Sequence, residues 1–292
     1  MQTTLEQLKT DREKYLTLLR DTLCFALWPE PLKPIYCTAN RGPTQRAAMW
    51  IDCKLRQHGL TLAIVPKSQP KEGVAWPVAA HTMVGLKRLN NIRQVCETVD
   101  ADGVPGNWVE CGVWRGGASI YARACINPER MVICCDSFQG LPFDPAEPEL
   151  STFNWLRVPA SEVRANFEKF GLLHNVRFYE GWFSESLHFV PGPIAILRAD
   201  GDMESSTMQI LGALYNKVSL GGFVIIDDWN LGPCRKAAET FRAINRIADK
   251  VVPIDDNGVY WRKSAQQCPA PQDPPTSRFN DNCNRAMSDW IK

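Results

Sequence analysis

The sequence predicts an α/β fold: a doubly wound, mostly parallel sheet with a reversed last strand and an N-terminal helical cap. Short, almost continuously apolar segments alternate with segments of helical apolar spacing, which is the pattern of a parallel sheet covered by helices on both faces. A glycine-rich turn follows the first of these apolar segments. The last two are separated by Asp255-Asp-Asn-Gly258, which predicts a hairpin and therefore a reversed strand.

The N-terminal part of the chain predicts one helix and a mixed segment. Leucines and aromatic residues at helical spacing predict an amphipathic helix over 3–27, and three prolines between 29 and 34 end it. The pattern over 35–76 is mixed, with a helix predicted over 44–58 and a short strand or buried segment over 60–65. We interpret this part as a cap over the core fold.

The core fold begins with a helix predicted over 79–99, whose apolar face includes Met83 and Leu86. A turn over 100–106 leads into the first strand, Trp108 to Glu110. The other strands are predicted at 131–135, 176–179, 194–198, 222–226, 251–254 and 259–262, and the helices between them at 161–170, 206–218 and 234–249.

The predicted organisation has three parts. Residues 1–78 form the N-terminal helix and cap segment, and residues 79–263 form the sheet domain. Residues 264–292 are polar and proline-rich, which predicts an extended or flexible tail.

Composition narrows the class of protein. The chain has 292 residues, 45% hydrophobic residues and a net charge of +1, so we expect a globular protein that binds neither nucleic acid nor a membrane. Its 11 cysteines include no Cys-x-x-Cys pair, which argues against a zinc site and a disulfide framework. The first residues are polar, and no apolar stretch is long enough for a membrane span. We expect a cytoplasmic protein with a small-molecule substrate and leave open whether it forms a homo-oligomer.

The glycine-rich turn organises the predicted chemistry. Glu110 ends the first strand, Gly112, Gly116 and Gly117 follow, and helical spacing starts at Ala118. Glycines let the backbone approach a ligand closely, and the helix N-terminus behind them favours negative or electron-rich groups. In α/β proteins that bind S-adenosylmethionine, such a turn surrounds the methionine end of the donor. The alternative is a βα turn without a ligand.

Two further strand ends extend the predicted donor pocket. Asp136 and Ser137 follow the second strand, and an acidic residue about 20 residues past the glycine turn commonly binds ribose hydroxyls. Gly181 and Trp182 follow the third strand, where an adenine ring could stack on the indole. The alternatives are a solvated loop acid or helix cap at Asp136 and a core aromatic at Trp182.

Four carboxylates at the next two strand ends predict a metal site. Asp200 and Asp202 follow the fourth strand, and Asp227 and Asp228 follow the fifth. Carboxylates at adjacent strand ends repel one another unless a cation lies among them, and oxygen ligands without histidine or cysteine select Mg²⁺ or Mn²⁺ over zinc. Without an ion, Asp227 and Asp228 would cap the next helix and Asp200 would lie in a surface turn.

These motifs, taken in order, resemble the macrocin O-methyltransferase family. The similar segments are 82–89, 110–118, 136–142, 197–202, 206–208, 221–228 and 258–263. The resemblance implies a class I methyltransferase (Rossmann-like) fold, S-adenosylmethionine as donor and antibiotic sugars as the family's acceptors. It also implies that Thr82 and Met83 close the donor pocket from the preceding segment.

The resemblance further implies that Asp200, Asp227 and Asp228 bind Mg²⁺, and Asp202 is then the expected catalytic base. We expect methyl transfer to a hydroxyl of a sugar or other vicinal diol in a small-molecule natural product. Two alternatives remain at this point. A metal-dependent glycosyltransferase would use Asp200 and Asp202 together as an Asp-x-Asp motif, and a non-catalytic module would bind S-adenosylmethionine without turnover.

The chain departs from the family's usual pattern beside the acidic strand ends. Glu204 and Ser205 stand where the family usually has a Tyr-Glu pair, and Trp229 stands where it usually has tyrosine. The segment 35–75 matches poorly. We expect the acceptor to lie against these positions, so the identity of the acceptor is not carried over from the family.

Overall fold

The computed structural model describes residues 2–28, 31–35, 43–64, 77–146, 148 and 156–264. The tail predicted over 264–292 lies outside these residues except for Ser264, as do parts of the cap segment. The helices are α1 (Gln2–Leu23), α2 (Pro43–Arg56), α3 (Leu86–Ala101), α4 (Gly117–Cys125), α5 (Ala160–Lys169), α6 (Phe183–Ser186), α7 (Glu204–Leu214) and α8 (Gly232–Ile244). The strands are β1 (Lys33–Pro34), β2 (Ala63–Ile64), β3 (Asn107–Cys111), β4 (Val132–Asp136), β5 (Val176–Glu180), β6 (Ile194–Ala199), β7 (Val218–Ile226), β8 (Val252–Pro253) and β9 (Val259–Arg262).

The central sheet has seven strands in the order β5-β4-β3-β6-β7-β9-β8. Strands β3 to β7 are parallel, and β9 pairs antiparallel with both β7 and β8. The predicted fold class, a mostly parallel sheet with a reversed last strand, is therefore confirmed. Strand order reverses at β3, with β4 on one side and β6 on the other. Such a switch point opens a crevice at the carboxyl ends of the strands, where ligands bind in open α/β sheets.

Helices cover both faces of the sheet. Side chains from α1, α3, α4 and α5 form one buried cluster with one face of the sheet, and side chains from α7 and α8 form the other. Helix α1 contributes Leu16, Leu19 and Leu23, all nearly or completely buried. Burial of each such leucine stabilises the fold by roughly 1.5–3 kcal/mol, so α1 is firmly packed on the sheet domain. The division at residue 78 stays a prediction.

The start of α3 differs from its prediction. The helix begins at Leu86, so Met83 lies in the segment before it and not on its apolar face. The backbone of Gly85 is extended, and the Thr82 hydroxyl accepts the Val84 N–H at 3.2 Å, which holds an irregular conformation. The main chain here packs on the glycine turn, because the Gly117 N–H donates to the His81 carbonyl at 2.9 Å.

The described part of the cap is small. Helix α2 is followed by β2, which pairs antiparallel with β1, so the predicted strand over 60–65 shortens to two residues. The buried carboxylate of Asp52 accepts hydrogen bonds from the Thr61 hydroxyl at 2.7 Å and the Leu62 N–H at 2.8 Å, which ties helix to strand. None of the helices in the described residues combines the length and apolar character needed to span a bilayer.

Candidate active site

A cavity of about 660 Å³ opens at the carboxyl ends of β3, β4, β6 and β7. The structure brings nearly all predicted site residues to its wall: Thr82, Met83, Glu110, Gly112, Asp136, Ser137, Trp182, Asp200, Asp202, Asp227 and Asp228. Gly181 is not part of the wall. Its N–H donates to the Asp136 carbonyl at 3.0 Å, which places Gly181 next to the main chain of Asp136. The predicted donor and metal residues therefore face one shared space.

The glycine turn is shaped by close packing between strand ends. Gly112 has φ +88°, and a Cβ there would lie 1.6 Å from the carbonyl oxygen of Asp200. A Cβ on Gly117 would lie 2.5 Å from the His81 carbonyl oxygen. Glycine at these positions lets the turn approach both the acidic strand end and the segment before α3, as the prediction of close backbone approach required.

Asp136 fixes the glycine turn against the loop after β4. Its Oδ2 accepts the Val113 N–H at 2.7 Å, and its Oδ1 accepts the Phe138 N–H at 2.8 Å. Burial raises the pKa of Asp136, while these backbone donors act to lower it. Oδ2 also accepts the Trp114 N–H at 3.4 Å, which leaves Oδ1 as the oxygen that can still accept a ligand hydroxyl. The Ser137 hydroxyl, in contrast, donates to the Gly140 carbonyl at 2.8 Å and accepts the Gln139 N–H.

Glu110 is buried and fully engaged by side chains. One oxygen contacts the guanidinium of Arg198, and the other accepts the Ser119 hydroxyl, which also accepts the Trp108 indole N–H at 3.1 Å. Burial raises the pKa of Glu110 to about 7, although Arg198 acts to lower it. Arg198 is thus an ion-pair partner of Glu110 that the sequence did not predict. The role of Glu110 in binding the methyl donor stays a prediction.

Two arginines enter the acidic strand ends, and neither was predicted. Arg198 Nη1 lies 2.7 Å from Asp200 Oδ2, and Arg198 Nη2 lies 2.7 Å from Asp227 Oδ1. Arg88 of α3 contacts the other oxygen of Asp227, and its Nε lies 3.1 Å from Asp255 Oδ2 in the β8–β9 turn. The available sequence signal was a single charged residue in the otherwise apolar segment 194–199.

Among the described residues, Asp200, Asp202 and Asp228 form a group of carboxylates that could hold a metal ion. One oxygen from each lies within 4.8 Å of the others, and the Asp202 N–H donates to Asp228 Oδ2 at 3.0 Å. Burial, together with repulsion from the neighbouring aspartates, raises the pKa of Asp202 to about 8 and that of Asp228 well above its usual value. A bound cation would relieve this repulsion.

Asp227 differs from this group because both arginines form ion pairs with its carboxylate. Burial acts to raise its pKa, but Arg198 and Arg88 together lower the pKa below its usual value. The prediction groups Asp227 with Asp200 and Asp228, whereas the convergent oxygens in the described residues include Asp202 in its place. All four carboxylates nevertheless line the same cavity.

The residues that depart from the family pattern do not line the cavity. Glu204 forms an ion pair with Lys236 at 2.9 Å, and the Ser205 hydroxyl donates to Asp144 Oδ2 at 3.0 Å. Trp229 packs on the core of the α7–α8 side, and the guanidinium of Arg235 lies 5.5 Å from its ring centre. The side chains of these three residues therefore have other partners, and the expectation that the acceptor lies against these positions stays a prediction.

Comparisons with known proteins show the family of the chain. The sequence model of the family described as Macrocin-O-methyltransferase (TylF) matches residues 12–263. A relative from Streptomyces olivaceus, 8-demethyl-8-(2,3-dimethoxy-alpha-L-rhamnosyl)-tetracenomycin-C 4'-O-methyltransferase, is 46% identical over 215 residues, which is 68% of this chain and 82% of that protein. Mycinamicin III 3''-O-methyltransferase from Micromonospora griseorubida is 40% identical over 222 residues, or 70% of this chain and 87% of that protein.

A solved structure extends the comparison to the fold. The O-methyltransferase NovP is 36% identical, with a TM-score of 0.72, and the match covers 87% of this chain and 99% of NovP. The predicted class I methyltransferase fold is confirmed, and the glycosyltransferase and non-catalytic alternatives are not favoured, because these relatives are named O-methyltransferases. The chain belongs to the macrocin-O-methyltransferase family and is an S-adenosylmethionine-dependent O-methyltransferase.

Proposed function

We propose that the enzyme methylates one of two neighbouring hydroxyls on the sugar of a glycosylated natural product, with a divalent cation bound at the acidic strand ends. The observation that carries this proposal is the convergence of Asp200, Asp202 and Asp228 in the cavity that the predicted donor residues also line. The names of the relatives support the acceptor class, because one of them acts on a rhamnosyl-tetracenomycin and another on mycinamicin III.

The acidic residues fit a hard divalent cation. The donor set consists of carboxylate oxygens, which Mg²⁺ and Mn²⁺ prefer. Among the described residues, Asp202 and Asp228 form no ion pair with arginine or lysine, whereas Arg198 contacts Asp200 and Asp227. Burial and mutual repulsion favour the protonated forms of Asp202 and Asp228, and a bound cation would compensate their negative charge. Following the family resemblance, we propose Asp200, Asp227 and Asp228 as the residues that would hold the cation. When bound, such a cation supplies Lewis acidity that makes a nearby hydroxyl easier to deprotonate.

Asp202 is the proposed catalytic base. Its backbone has φ +59°, an uncommon conformation for a residue with a side chain. The hydrogen bond from its N–H to Asp228 holds it there, and its carboxylate lines the cavity beside Asp200. A carboxylate at this position would take the proton of the acceptor hydroxyl as the methyl group is transferred. The remaining wall residues align donor and acceptor, which supplies a large part of the rate enhancement of such a transfer.

The cap segment is proposed to enclose the acceptor. The residues of the sheet account for the donor and for the cation, but the acceptor needs a wall that excludes water. Helix α2 carries Trp50 and Ile51 on its surface, with 67% and 46% of their area exposed, which offers apolar surface for an aglycone. Thus we retain 1–78 as the cap and 79–263 as the catalytic domain in this proposal.

The test uses the purified enzyme with S-adenosylmethionine and Mg²⁺. Mycinamicin III and the rhamnosyl-tetracenomycin named for the relatives serve as acceptors, and simple catechols and cyclitols serve as vicinal diols without a glycoside. We expect a product heavier by one methylene for at least one glycoside, lost on chelation of the metal and restored by Mg²⁺. Methylation of catechols with no turnover of any glycoside would contradict the proposed acceptor class. Full activity in the presence of a chelator would contradict the proposed metal site.

A further inference from the structure

Arg198 is a fully buried cation that contacts carboxylates from three adjacent strand ends. Its side chain is 2% exposed and lies at the end of β6, between β3 and β7. Nη1 contacts Glu110 of β3 and, at 2.7 Å, Asp200, which follows β6. Nη2 lies 2.7 Å from Asp227, which follows β7. One guanidinium therefore joins the donor side of the cavity to the acidic strand ends.

The shape of the guanidinium matters here as much as its charge. Its N–H donors lie in one plane at fixed angles, so it can orient several carboxylates at once, whereas an ammonium acts as a compact point charge. Arg198 uses one oxygen of Asp200, whose second oxygen remains for another partner, and one oxygen of Asp227, whose second oxygen contacts Arg88. The side chain of Asp200 keeps 26% of its area exposed, in contrast to 1% for Glu110. The fork thus buries one side of the cluster and leaves the other toward the cavity.

Arg88 holds Asp227 from the opposite side. It contacts the oxygen of Asp227 that Arg198 does not use, and it also pairs with Asp255, whose side chain is fully buried in the β8–β9 turn. The other oxygen of Asp255 accepts the N–H groups of Asn257 at 2.9 Å and Gly258 at 2.8 Å. The direction of the Asp227 carboxylate is therefore set by two arginines that also line the cavity, and one of them, Arg88, is itself held by Asp255.

We propose that Arg198 is a positioning residue for the acidic cluster: its planar fork sets the directions of Asp200 and Asp227 and thereby the affinity for a divalent cation. This inference rests on the proposed metal site. Arg198 is not one of the proposed metal ligands, but it contributes a measurable part of the affinity for the cation. Outer partners of metal ligands typically contribute a factor of about 10 to 100 in affinity.

Arg198→Lys tests the proposal because it keeps the charge and removes the fork. Binding of Mn²⁺ alone is measured on the metal-free enzyme by paramagnetic resonance, and binding of S-adenosylhomocysteine is measured by calorimetry. Arg123→Lys is the matched control: Arg123 is also buried, but it donates to backbone carbonyls, including that of Asn127 at 2.7 Å, away from the cluster. We expect Arg198→Lys to weaken Mn²⁺ binding about 10-fold to 100-fold, with S-adenosylhomocysteine affinity kept and Arg123→Lys normal in both assays.

Two results overturn the proposal: unchanged Mn²⁺ affinity in a folded Arg198→Lys protein, or an equal loss of Mn²⁺ and S-adenosylhomocysteine affinity, which would indicate general damage to the cavity. Arg88→Lys is the second variant if Arg198→Lys does not fold. Of the proposed metal ligands, Arg88→Lys loosens only Asp227, so a smaller loss of Mn²⁺ affinity is expected, and no loss overturns the proposal. Absence of Mn²⁺ binding to the unaltered enzyme would instead refute the proposed metal site itself.

Discussion

Replacement of Asp136 by alanine should weaken both the fold and donor binding, by amounts that its hydrogen bonds determine. The carboxylate accepts the Val113 N–H at 2.7 Å and the Phe138 N–H at 2.8 Å. A hydrogen bond to a charged group contributes about 1.5–3 kcal/mol, and a buried donor left without a partner costs about 1–3 kcal/mol. Because Val113 lies in the glycine turn and Phe138 in the loop after β4, loss of the carboxylate also releases the turn from this loop.

We expect Asp136→Ala to lower the free energy of unfolding by roughly 3 kcal/mol and to weaken S-adenosylhomocysteine binding by about 1.5–3 kcal/mol. Asp136→Asn keeps one acceptor oxygen and should fall between the alanine variant and the unaltered enzyme in both assays. Urea unfolding and calorimetric titration provide the two values. Asp144→Ala is the control, because Asp144 lies in the same loop but contacts Ser205 and the Ala146 N–H. Unchanged donor affinity in Asp136→Ala would refute this placement of the donor.

Three further predictions address the cavity and its surroundings. Burial raises the pKa of Glu110 from 4.5 to about 7, so between these pH values the folded protein binds a proton that the unfolded chain has lost. The stability that Glu110 contributes therefore falls as the pH rises from 4.5 to about 7. Urea unfolding in the presence of a chelator should show this fall, and Glu110→Gln should reduce it. Gly112→Ala should destabilise the enzyme beyond 3 kcal/mol, roughly the cost of strained φ plus displaced backbone, because its Cβ would lie 1.6 Å from the Asp200 carbonyl oxygen; a normal melting temperature would contradict this. Exchange of residues 43–64 for those of a relative should change acceptor choice in product analysis but keep S-adenosylhomocysteine affinity, and the reverse outcome would contradict the cap assignment.

The sheet could be predicted from the sequence because parallel strands that are buried on both faces consist of nearly continuous apolar residues. All six residues of β6 are buried, and the carboxyl ends of neighbouring strands must meet at one edge. The strand ends therefore predicted the cavity and nine of its wall residues, whereas Thr82 and Met83 were implied by the family resemblance. The start of α3 was less predictable, because Met83 continues the helical period, whereas Gly85 and the contact with the glycine turn hold the chain in an irregular conformation.

The ion pairs could not be predicted because they depend on the register of the strands. Glu110 and Arg198 are directly opposite each other across β3 and β6, which no local spacing reveals. In the same way, Asp227, which pairs with Arg88, lies 139 positions further along the chain. The sequence pattern also did not predict the side-chain directions of Glu204, Ser205 and Trp229, because each of these side chains contacts a partner outside the cavity.

The measurement that tests the central claim most directly is a metal titration of Asp202→Asn beside Asp200→Asn, with Mn²⁺ binding and turnover measured on each protein. If Asp202 is the base and Asp200 a ligand, Asp202→Asn keeps its Mn²⁺ affinity and loses roughly 10²–10⁴-fold in turnover. Asp200→Asn loses Mn²⁺ affinity, and excess metal restores part of its activity. Should Asp202→Asn lose Mn²⁺ affinity as strongly as Asp200→Asn, Asp202 is a ligand together with Asp200 and Asp228, and the proton must be taken by another group.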